Sequence, residues 1–373
     1  MRKKIFFIIH ALKGGGAEKV LIELLKNINR EKFSLYVAIF NKGGVYFDEI
    51  PLDVQIYDLC KISKYSFFSL QRKLNNLIIE LQIDIVLSFL NYTNFLTLMS
   101  KNLFGWKQPV IISEHNPLTP YFNDNSHLSW VKKYLTKILY PQANFIIVVS
   151  NGIKKELLGV ISLKEEKIRV IHNPVDINKI KELAEEPVNL SCGNEFQIVT
   201  AGRLTTPKDY VTLLKAIKIV RNYLNVHLSI LGEGKDEGML RNFSLDLGIS
   251  EMVSFLGFQK NPYKYMAKSD LFILSSLWEG FGNVIVEAMC CKVPVIATDC
   301  PYGPGEIIFQ GKNGILVSIK NENNLAEAIL KIAKDESLRV KMAEAGSIRA
   351  EDFDVKKVIK EYEDMFLSLT AIS

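Results

Sequence analysis

Short apolar segments alternate with helix-like segments along the chain, and this alternation constrains the fold more than any other feature. In the first half, we predict strands at residues 4–10, 35–40, 84–89, 109–113, 145–150 and 168–171. Helix-like stretches, among them residues 18–29 and 70–82, separate these strands. Continuous apolar runs connected by helices are typical of strands buried in a parallel sheet. The first half therefore predicts a doubly wound α/β domain.

The same pattern begins again in the second half. Predicted strands occupy residues 196–201, 227–231, 253–256, 271–274 and 294–298, and predicted helices occupy residues 210–222, 238–247 and 325–334. A polar, acidic connector at residues 176–194 separates the two patterns, and residues 355–369 have the pattern of a last amphipathic helix. We therefore expect two Rossmann-like domains, 1–175 and 176–354, that face each other across a ligand-binding cleft.

The predicted strand at residues 271–274 leads into a turn that carries two glutamates. Glu279 lies in the turn, and Glu287 lies one helical turn after Asn283, which we expect to be the N-cap of the following helix. Free N–H groups at a helix start favour an anion or a sugar hydroxyl. A carboxylate accepts two hydrogen bonds at once and so suits paired hydroxyls. The turn predicts a polyhydroxylated ligand that also carries phosphate.

A run of three glycines, containing Gly15 and Gly16, follows the first predicted strand and opens a helix. Glycines at this position let the backbone approach a ligand, and the helix start offers N–H donors to a phosphate. The run does not match the dinucleotide fingerprint or the phosphate-binding loop of nucleotide triphosphatases. A plain strand–helix turn is the alternative interpretation.

Three further loops follow predicted strands and carry candidate ligand contacts. Arg203 and Lys208, five residues apart, could both contact a diphosphate, although two solvated charges are an equally good interpretation. His115 could contact a substrate oxygen, but a lone histidine is more often structural. Gly257 could supply a backbone contact to a nucleobase, or it could simply allow a turn.

Positive charge is concentrated in the first half of the chain. Residues 1–175 contain 23 Lys+Arg and 14 Asp+Glu, whereas residues 176–373 contain 23 and 27. Two basic segments, 61–73 and 128–140, also contain aromatic residues such as Trp130 and Tyr134. Such segments suit an anionic membrane surface, and ordinary amphipathic helices packed on the sheet are the alternative.

Several classes of protein are disfavoured by the composition. The five cysteines have no metal-ligand spacing, so we expect free thiols in a reducing compartment and no metal site. The apolar run at residues 5–9 is too short for a signal peptide, and no apolar stretch reaches the ~18 residues of a spanning helix. We therefore expect a cytoplasmic protein whose membrane contact is peripheral.

Six motifs in order resemble those of the retaining glycosyltransferases of family 4. They are Gly14-Gly-Gly-Ala-Glu18, Ser113-Glu-His115, Asn173-Pro-Val-Asp176, Gly202-Arg203 with Lys208, the Glu279-x7-Glu287 pair, and Asn313-Gly-Ile-Leu-Val317. The resemblance covers nearly the whole chain. It implies the GT-B fold, in which two Rossmann-like domains are followed by a last helix, here within residues 355–373, that packs back on the first domain.

The resemblance also implies roles for the motif residues. Glu287 would hold the nucleotide ribose, and Glu279 the hydroxyls of the donor sugar. His115 would contact the donor sugar near the reacting centre. Backbone N–H groups of the turn would contact the same sugar, and basic or glycine residues would neutralise the diphosphate. The turn residues are Phe281, Gly282 and Asn283, and the diphosphate residues are Gly15, Gly16, Arg203 and Lys208.

The implied reaction moves a sugar from a nucleotide diphosphate to an acceptor hydroxyl with retention, without a metal ion or other cofactor. Domain 1–175 would bind the acceptor and domain 176–354 the nucleotide sugar. The branch resembled builds lipid-linked oligosaccharides and surface polysaccharides, which implies a UDP-linked hexose or N-acetylhexosamine donor. It also implies a polyprenol-linked glycan acceptor at the inner face of the cytoplasmic membrane, and no nucleic-acid partner. Gly305 departs from this branch, which commonly has an arginine there.

Two other functions remain open at this stage. A nucleotide-sugar epimerase can share the two-domain fold, but it would act on the free nucleotide sugar and would need no basic, lipid-facing helices. A non-catalytic two-domain sugar-binding protein would need no residues that neutralise a diphosphate.

Overall fold

The computed structural model describes residues 2–60, 66–122, 129–188 and 194–370. The chain divides into two compact units. Unit 1 consists of Met1–Pro174 together with Val355–Ser373, and unit 2 consists of Val175–Asp354. Each unit is built on one sheet of parallel strands, as the alternating pattern predicts.

In the described part of unit 1, seven strands form the sheet in the order β3-β2-β1-β4-β5-β6-β7. The strands are β1 (Lys3–Ile9), β2 (Phe33–Ile39), β3 (Gln55–Asp58), β4 (Ile85–Phe89), β5 (Val110–Glu114), β6 (Phe145–Val148) and β7 (Ile168–Val170). The helices are α1 (Gly16–Asn27), α2 (Phe67–Glu80), α3 (Asn91–Phe104), α4 (Leu118–Phe122), α5 (Ser129–Leu139) and α6 (Asn151–Val160). The strand order reverses between β1 and β4, which is where ligands bind in open α/β sheets.

In the described part of unit 2, six strands form the order β10-β9-β8-β11-β12-β13. They are β8 (Phe196–Ala201), β9 (Val226–Leu231), β10 (Val253–Phe255), β11 (Leu271–Leu274), β12 (Val295–Thr298) and β13 (Ile315–Val317). The helices are α7 (Ile177–Ala184), α8 (Tyr210–Val220), α9 (Glu237–Asp246), α10 (Tyr263–Met266), α11 (Asn283–Cys290), α12 (Pro304–Ile307), α13 (Glu322–Lys334) and α14 (Glu336–Ala350). The reversal in this unit lies between β8 and β11.

Two strands of the structure were not predicted from the sequence. Strand β3 lies at the sheet edge with its side chains mostly exposed, which explains why it was missed, and the three-residue strand β13 was missed as well. The predicted connector at 176–194 is wrong in its first part, which forms α7. The Asp176 carboxylate caps this helix by accepting the Lys179 N–H at 3.0 Å. Residues 189–193 of the predicted connector lie outside the described residues.

The last helix, α15 (Val355–Thr370), is part of the core of unit 1. Tyr362 and Phe366 are fully buried, and the Phe366 ring contacts Phe33 edge to face at 5.8 Å between centroids. The Asn29 N–H, just after α1, donates to the Glu363 carboxylate at 2.7 Å. The helix therefore stabilises a domain whose other residues, Met1–Pro174, end almost 200 positions before the helix begins.

Replacing Phe366 by alanine should destabilise unit 1 selectively, because it leaves a cavity between α15 and β2. We expect a loss of about 3–5 kcal/mol in the free energy of unfolding. Hydrogen exchange would show faster exchange in the strands of unit 1 and unchanged exchange in those of unit 2. Leu367→Ala, one residue away and 39% exposed, is the matched control. Equal effects of the two substitutions would contradict the packing of α15.

Candidate active site

The turn between β11 and α11 has a different helix start from the predicted one. Gly282 adopts a left-handed conformation, with φ of 97°, and is itself the N-cap, so the prediction that Asn283 caps the helix is wrong. Asn283 is instead the first helical residue. Only glycine adopts such a φ without steric cost, which explains why the helix starts directly after it. Glu287 lies on α11 and is 5% exposed.

Glu279 forms an ion pair with Lys208 within unit 2. The Glu279 carboxylate accepts hydrogen bonds from the Lys208 ammonium group and, at 2.6 Å, from the Ser276 hydroxyl. Two bonds fix the Lys208 loop against the end of β11. The Ser275 hydroxyl donates to the Lys208 carbonyl at 2.7 Å, and the Leu277 N–H donates to the Pro207 carbonyl at 2.7 Å. The sequence assigned Lys208 and Glu279 to different parts of a ligand, and the structure places their charges in contact.

Arg203, unlike Lys208, is not held in an ion pair among the described residues. Its side chain is exposed, and among the described residues its guanidinium group has no hydrogen-bond or ion-pair partner. The loop that carries Arg203 packs closely against the loop after β9, since a Cβ at Gly232 would lie 2.0 Å from the Gly202 carbonyl oxygen. The Gly232 N–H donates in turn to the carbonyl of Gly257 at 2.7 Å. Three consecutive strand ends of unit 2 are thus joined through glycines.

In unit 1, the glycine run forms the start of α1. Gly15 is the N-cap, Gly16 is the first helical residue and Glu18 is the third. The Gly15 N–H donates to the Glu18 carboxylate. A carboxylate of the chain itself therefore lies at the helix start where the sequence predicts a diphosphate.

His115 follows β5 and is 7% exposed. Its Nε2 lies 2.9 Å from the Ser113 hydroxyl, and its ring stacks on Phe89 at 5.6 Å between centroids. Its Nδ1 is buried and has no hydrogen-bond partner in the part of the chain that the structure describes. Burial lowers the pKa of His115 to about 3, so the imidazole is neutral at physiological pH. A neutral ring with one unused nitrogen can make a hydrogen bond to a ligand but cannot supply positive charge.

Glu114 is the centre of a buried polar network that the sequence analysis did not identify. Its carboxylate accepts hydrogen bonds from Asn91 at 3.0 Å, from Asn94 at 2.7 Å, and from the Tyr140 hydroxyl. Burial raises the pKa of Glu114 to about 7, although these hydrogen bonds act in the opposite direction. A glutamate at the end of an otherwise apolar strand is the signal that could have revealed it.

Helix α5 has an exposed face of aromatic and basic residues. Trp130, Tyr134 and Ile138 follow one another at intervals of four, so they lie on one side of the helix, and they are 71%, 58% and 44% exposed. Lys133 and Lys137 are exposed beside them. Residue 128 and residues 61–65 of the two predicted basic segments lie outside the described residues. Among the helices that the structure describes, none has the length and apolar character needed to cross a membrane.

The structure does not bring together a metal-ligand set from the residues it describes. Within residues 2–60, 66–122, 129–188 and 194–370, no group of three or more His, Cys, Asp or Glu side chains could hold a metal ion. The positive charge available to an anionic ligand at the predicted site positions is that of Arg203 and Lys208.

Two family models match the chain. The model described as Glycosyltransferase Family 4 matches residues 14–179, and the model described as Glycosyl transferases group 1 matches residues 183–349. Together the two models cover most of both units.

The chain is similar over almost its full length to named glycosyltransferases. One is the N-acetylgalactosamine-N,N'-diacetylbacillosaminyl-diphospho-undecaprenol 4-alpha-N-acetylgalactosaminyltransferase of Campylobacter jejuni, which is 32% identical over 96% of this chain and 98% of its own length. The lipopolysaccharide core biosynthesis glycosyltransferase LpsE of Rhizobium meliloti is 28% identical over 90% of this chain and 91% of its own length.

A solved structure has the same fold. HepE from Anabaena, in complex with UDP and glucose, matches with a TM-score of 0.83, covers 98% of this chain and 100% of its own, and is 24% identical. This match confirms the predicted two-domain α/β architecture.

Replacing Glu114 by glutamine should change how stability depends on pH. The folded-state pKa of about 7 lies above the usual value of 4.5, so the protonated carboxyl group favours the folded state below pH 4.5. This contribution is lost as the pH rises through 7. The stability of the wild type relative to Glu114→Gln should therefore fall by about 3 kcal/mol between pH 4.5 and pH 8, measured by urea unfolding.

Asn94→Ala provides the control for this measurement, because it removes one donor to the same carboxylate and keeps the titrating group. Its stability relative to Glu114→Gln should therefore still fall as the pH rises. A difference between wild type and Glu114→Gln that is constant with pH would show that Glu114 does not titrate in this range.

Proposed function

The chain belongs to the family 4 glycosyltransferases and has the GT-B fold, and from this premise we propose which sugar it transfers and to what. The donor is a UDP-linked hexose or N-acetylhexosamine, and the acceptor is a polyprenol-linked glycan of a surface polysaccharide or oligosaccharide. The observation that carries this proposal is the near full-length match to a transferase named for an undecaprenol-diphosphate-linked acceptor. The UDP and glucose bound to HepE support the choice of nucleotide.

The donor would be held by unit 2. Glu287, buried on α11, would accept hydrogen bonds from the ribose hydroxyls, and Glu279 would accept them from the hydroxyls of the transferred sugar. Gly257, in a left-handed turn after β10, would offer its backbone to the nucleobase. Backbone N–H groups of the turn, at Phe281, Gly282 and Asn283, would contact the sugar.

Binding of the donor would change the partner of Lys208. In the structure the Lys208 ammonium group is neutralised by Glu279. A diphosphate carries more negative charge than one carboxylate, so it would draw the ammonium group toward itself and leave the Glu279 oxygens for sugar hydroxyls. Arg203, exposed and without a partner among the described residues, would add a forked contact to the same diphosphate.

The charge that develops on the leaving diphosphate would be stabilised by Arg203 and Lys208 of unit 2. These groups supply the electrostatic stabilisation that a metal ion supplies in other transferases, so we propose a metal-independent reaction. The acceptor oxygen would bond to the anomeric carbon on the face from which the diphosphate departs, with retention of configuration. The acceptor proton would pass to the departing phosphate oxygen. His115 of unit 1, neutral and buried, would make a hydrogen bond to a sugar group rather than provide charge.

We further propose that α5 contacts an anionic membrane surface on its cytoplasmic side. Trp130 and Tyr134 have the amphipathic rings that favour the lipid interface, and Lys133 and Lys137 would lie near the head groups. A polyprenol-linked acceptor is itself held in a membrane, so this contact would bring the enzyme to its substrate. The two alternatives considered from sequence, an epimerase and a non-catalytic sugar-binding protein, gain no support from relatives that are named glycosyltransferases.

The test of the proposed reaction is UDP release from a panel of UDP-sugars, with and without a polyprenol-diphosphate-linked oligosaccharide. We expect release that depends on the acceptor, that persists in EDTA, and that gives an α-linked product from an α-linked donor by NMR. Lys208→Met should lower kcat about 100-fold, because it removes one cation from the leaving group.

Lys215→Met is the matched control for the lysine substitution, since Lys215 is also near a glutamate of unit 2, Glu322 at 3.7 Å, but on an exposed helix surface. Its kcat should equal that of the wild type. Folded enzyme that releases no UDP with any donor would overturn the proposed reaction, and a loss of activity in EDTA would overturn metal independence.

Reversing the charge of Lys133 and Lys137 together to glutamate should weaken binding to vesicles containing phosphatidylglycerol by more than about tenfold, since each basic residue near such a surface contributes about 1 kcal/mol. Vesicle sedimentation measures this effect. Lys356→Glu with Lys360→Glu, two exposed positions on α15 of the same unit, makes the same change in net charge and should leave binding nearly unchanged. Equal losses for the two pairs would show that net charge, rather than the face of α5, governs the interaction.

A further inference from the structure

Four aromatic side chains meet at the carboxyl edge of the sheet of unit 1, and we name them the aromatic cluster. They are His10 directly after β1, Phe40 directly after β2, Phe67 at the start of α2, and Tyr92 in the first turn of α3. The Tyr92 ring lies 5.9 Å from His10, 5.9 Å from Phe40 and 6.4 Å from Phe67 between centroids. All three contacts are edge to face, a favoured geometry for aromatic pairs.

The backbone that carries Tyr92 is strained. Leu90, the residue before α3, has φ of 72° and ψ of 151°, a region that is nearly restricted to glycine. Two hydrogen bonds hold it there, from the Leu90 N–H to the Ser113 carbonyl at 3.0 Å and from the Asn94 N–H to the Leu90 carbonyl at 2.9 Å. Such conformations persist only where the surrounding structure holds them, and they are concentrated at active sites and ligand-binding sites. The two residues that follow Leu90 have opposite environments. Asn91 is buried against Glu114, whereas Tyr92 lies at the surface.

The exposed member of the cluster has the properties of a stacking surface. Tyr92 is 37% exposed, whereas Phe40 beneath it is fully buried. Contacts with three rings already restrict the side chain of Tyr92. Little conformational entropy of the protein is therefore lost when a ligand packs on it. A pyranose ring presents C–H groups on one face and hydroxyls around its rim, so it can pack on an aromatic ring while its hydroxyls contact polar groups.

The aromatic cluster is linked to His115 through Phe89, which stacks on His115 and lies only three residues before Tyr92. The buried Nδ1 of His115 has no hydrogen-bond partner among the described residues, which is an independent sign that a ligand is received at this edge of unit 1. Tyr92 follows β4 and His115 follows β5, and the carboxyl ends of these two strands adjoin in the parallel sheet.

We propose that the aromatic cluster binds the terminal pyranose of the acceptor glycan, with the sugar packed on Tyr92. This inference rests on the proposed function, because the donor is there assigned to unit 2 and the acceptor must then be received by unit 1. A nucleobase could also stack on a tyrosine, but the glycine-joined strand ends of unit 2 are assigned to that role. None of the four residues of the aromatic cluster was a predicted site residue.

Direct binding tests this inference independently of sugar transfer. Saturation-transfer NMR with methyl N-acetyl-α-galactosaminide and methyl α-glucoside, in the presence of UDP, should show saturation of the pyranose C–H protons with the wild type for at least one glycoside. Tyr92→Ala should weaken that binding by at least about tenfold, and Tyr92→Phe should retain it, because the ring alone provides the packing. Tyr223→Ala, which removes a tyrosine that is 68% exposed in unit 2, should bind as the wild type does.

Kinetics then separate this inference from the proposed reaction. With a lipid-linked acceptor, Tyr92→Ala should raise the acceptor KM at least about tenfold and leave the donor KM and the slow hydrolysis of donor by water unchanged. Wild-type protein that binds neither glycoside would overturn the acceptor site, as would unchanged glycoside binding by Tyr92→Ala. Loss of UDP binding in Tyr92→Ala would show nucleobase stacking and would also overturn it. Glycoside binding through Tyr92 without sugar transfer would overturn the proposed reaction and leave the acceptor site standing.

Discussion

Parallel pairing of strands determines where this protein can perform chemistry. Every neighbouring pair in both sheets is parallel, so all strand carboxyl ends of a unit lie at one edge of its sheet. A parallel sheet is buried on both faces, which leaves its strands apolar and moves functional side chains to the loops that follow them. In unit 1 this edge carries the start of α1, His115 and the aromatic cluster. In unit 2 it carries Arg203, Lys208 and the turn from Glu279 to Glu287. The reversal of strand order in each sheet separates the loops after β1 and β4, and after β8 and β11, and so leaves room for a ligand there.

Polar groups that the family resemblance assigns to a ligand are in several cases already paired within their own unit. Lys208 is neutralised by Glu279, and the Gly15 N–H is satisfied by Glu18. Such pairs keep partly buried charges and helix-start N–H groups from being left without partners, which would be costly. Under the proposed function, donor binding would exchange one partner for another, and only the difference between the two sets of contacts would contribute to affinity. Arg203 is exposed and has no such partner among the described residues, so its contact with a diphosphate would displace no protein group.

The sequence was sufficient for the architecture because short apolar runs that alternate with helix-like segments leave few alternatives. Buried strands such as β1 and β11 are nearly continuous apolar segments, and their order with the helices between them defines the doubly wound fold. The exposed edge strand β3 lacks this signal and depends on its neighbouring strand for its conformation. Contacts between residues that are far apart in the sequence could not be predicted in this way. The residues Lys208 and Glu279 are 71 positions apart, and nothing in their local sequence indicates that they form an ion pair. The aromatic cluster likewise draws its members from four separate loops and helix starts, so no short motif contains it.

The two neighbours Glu114 and His115 show how the environment of unit 1 limits its chemistry. Burial raises the pKa of the carboxyl group and lowers the pKa of the imidazole, so in both cases it favours the neutral form. Asn91, Asn94 and Tyr140 surround the carboxyl group with hydrogen-bond donors, while the imidazole keeps one unused nitrogen. This edge is thus built to orient hydrogen bonds rather than to neutralise a charged leaving group. Under the proposed function, the charge of the departing diphosphate would be stabilised by Arg203 and Lys208 of unit 2, and unit 1 would recognise uncharged sugar groups. The position of Tyr92, three residues from the ring that stacks on His115, fits that division of roles.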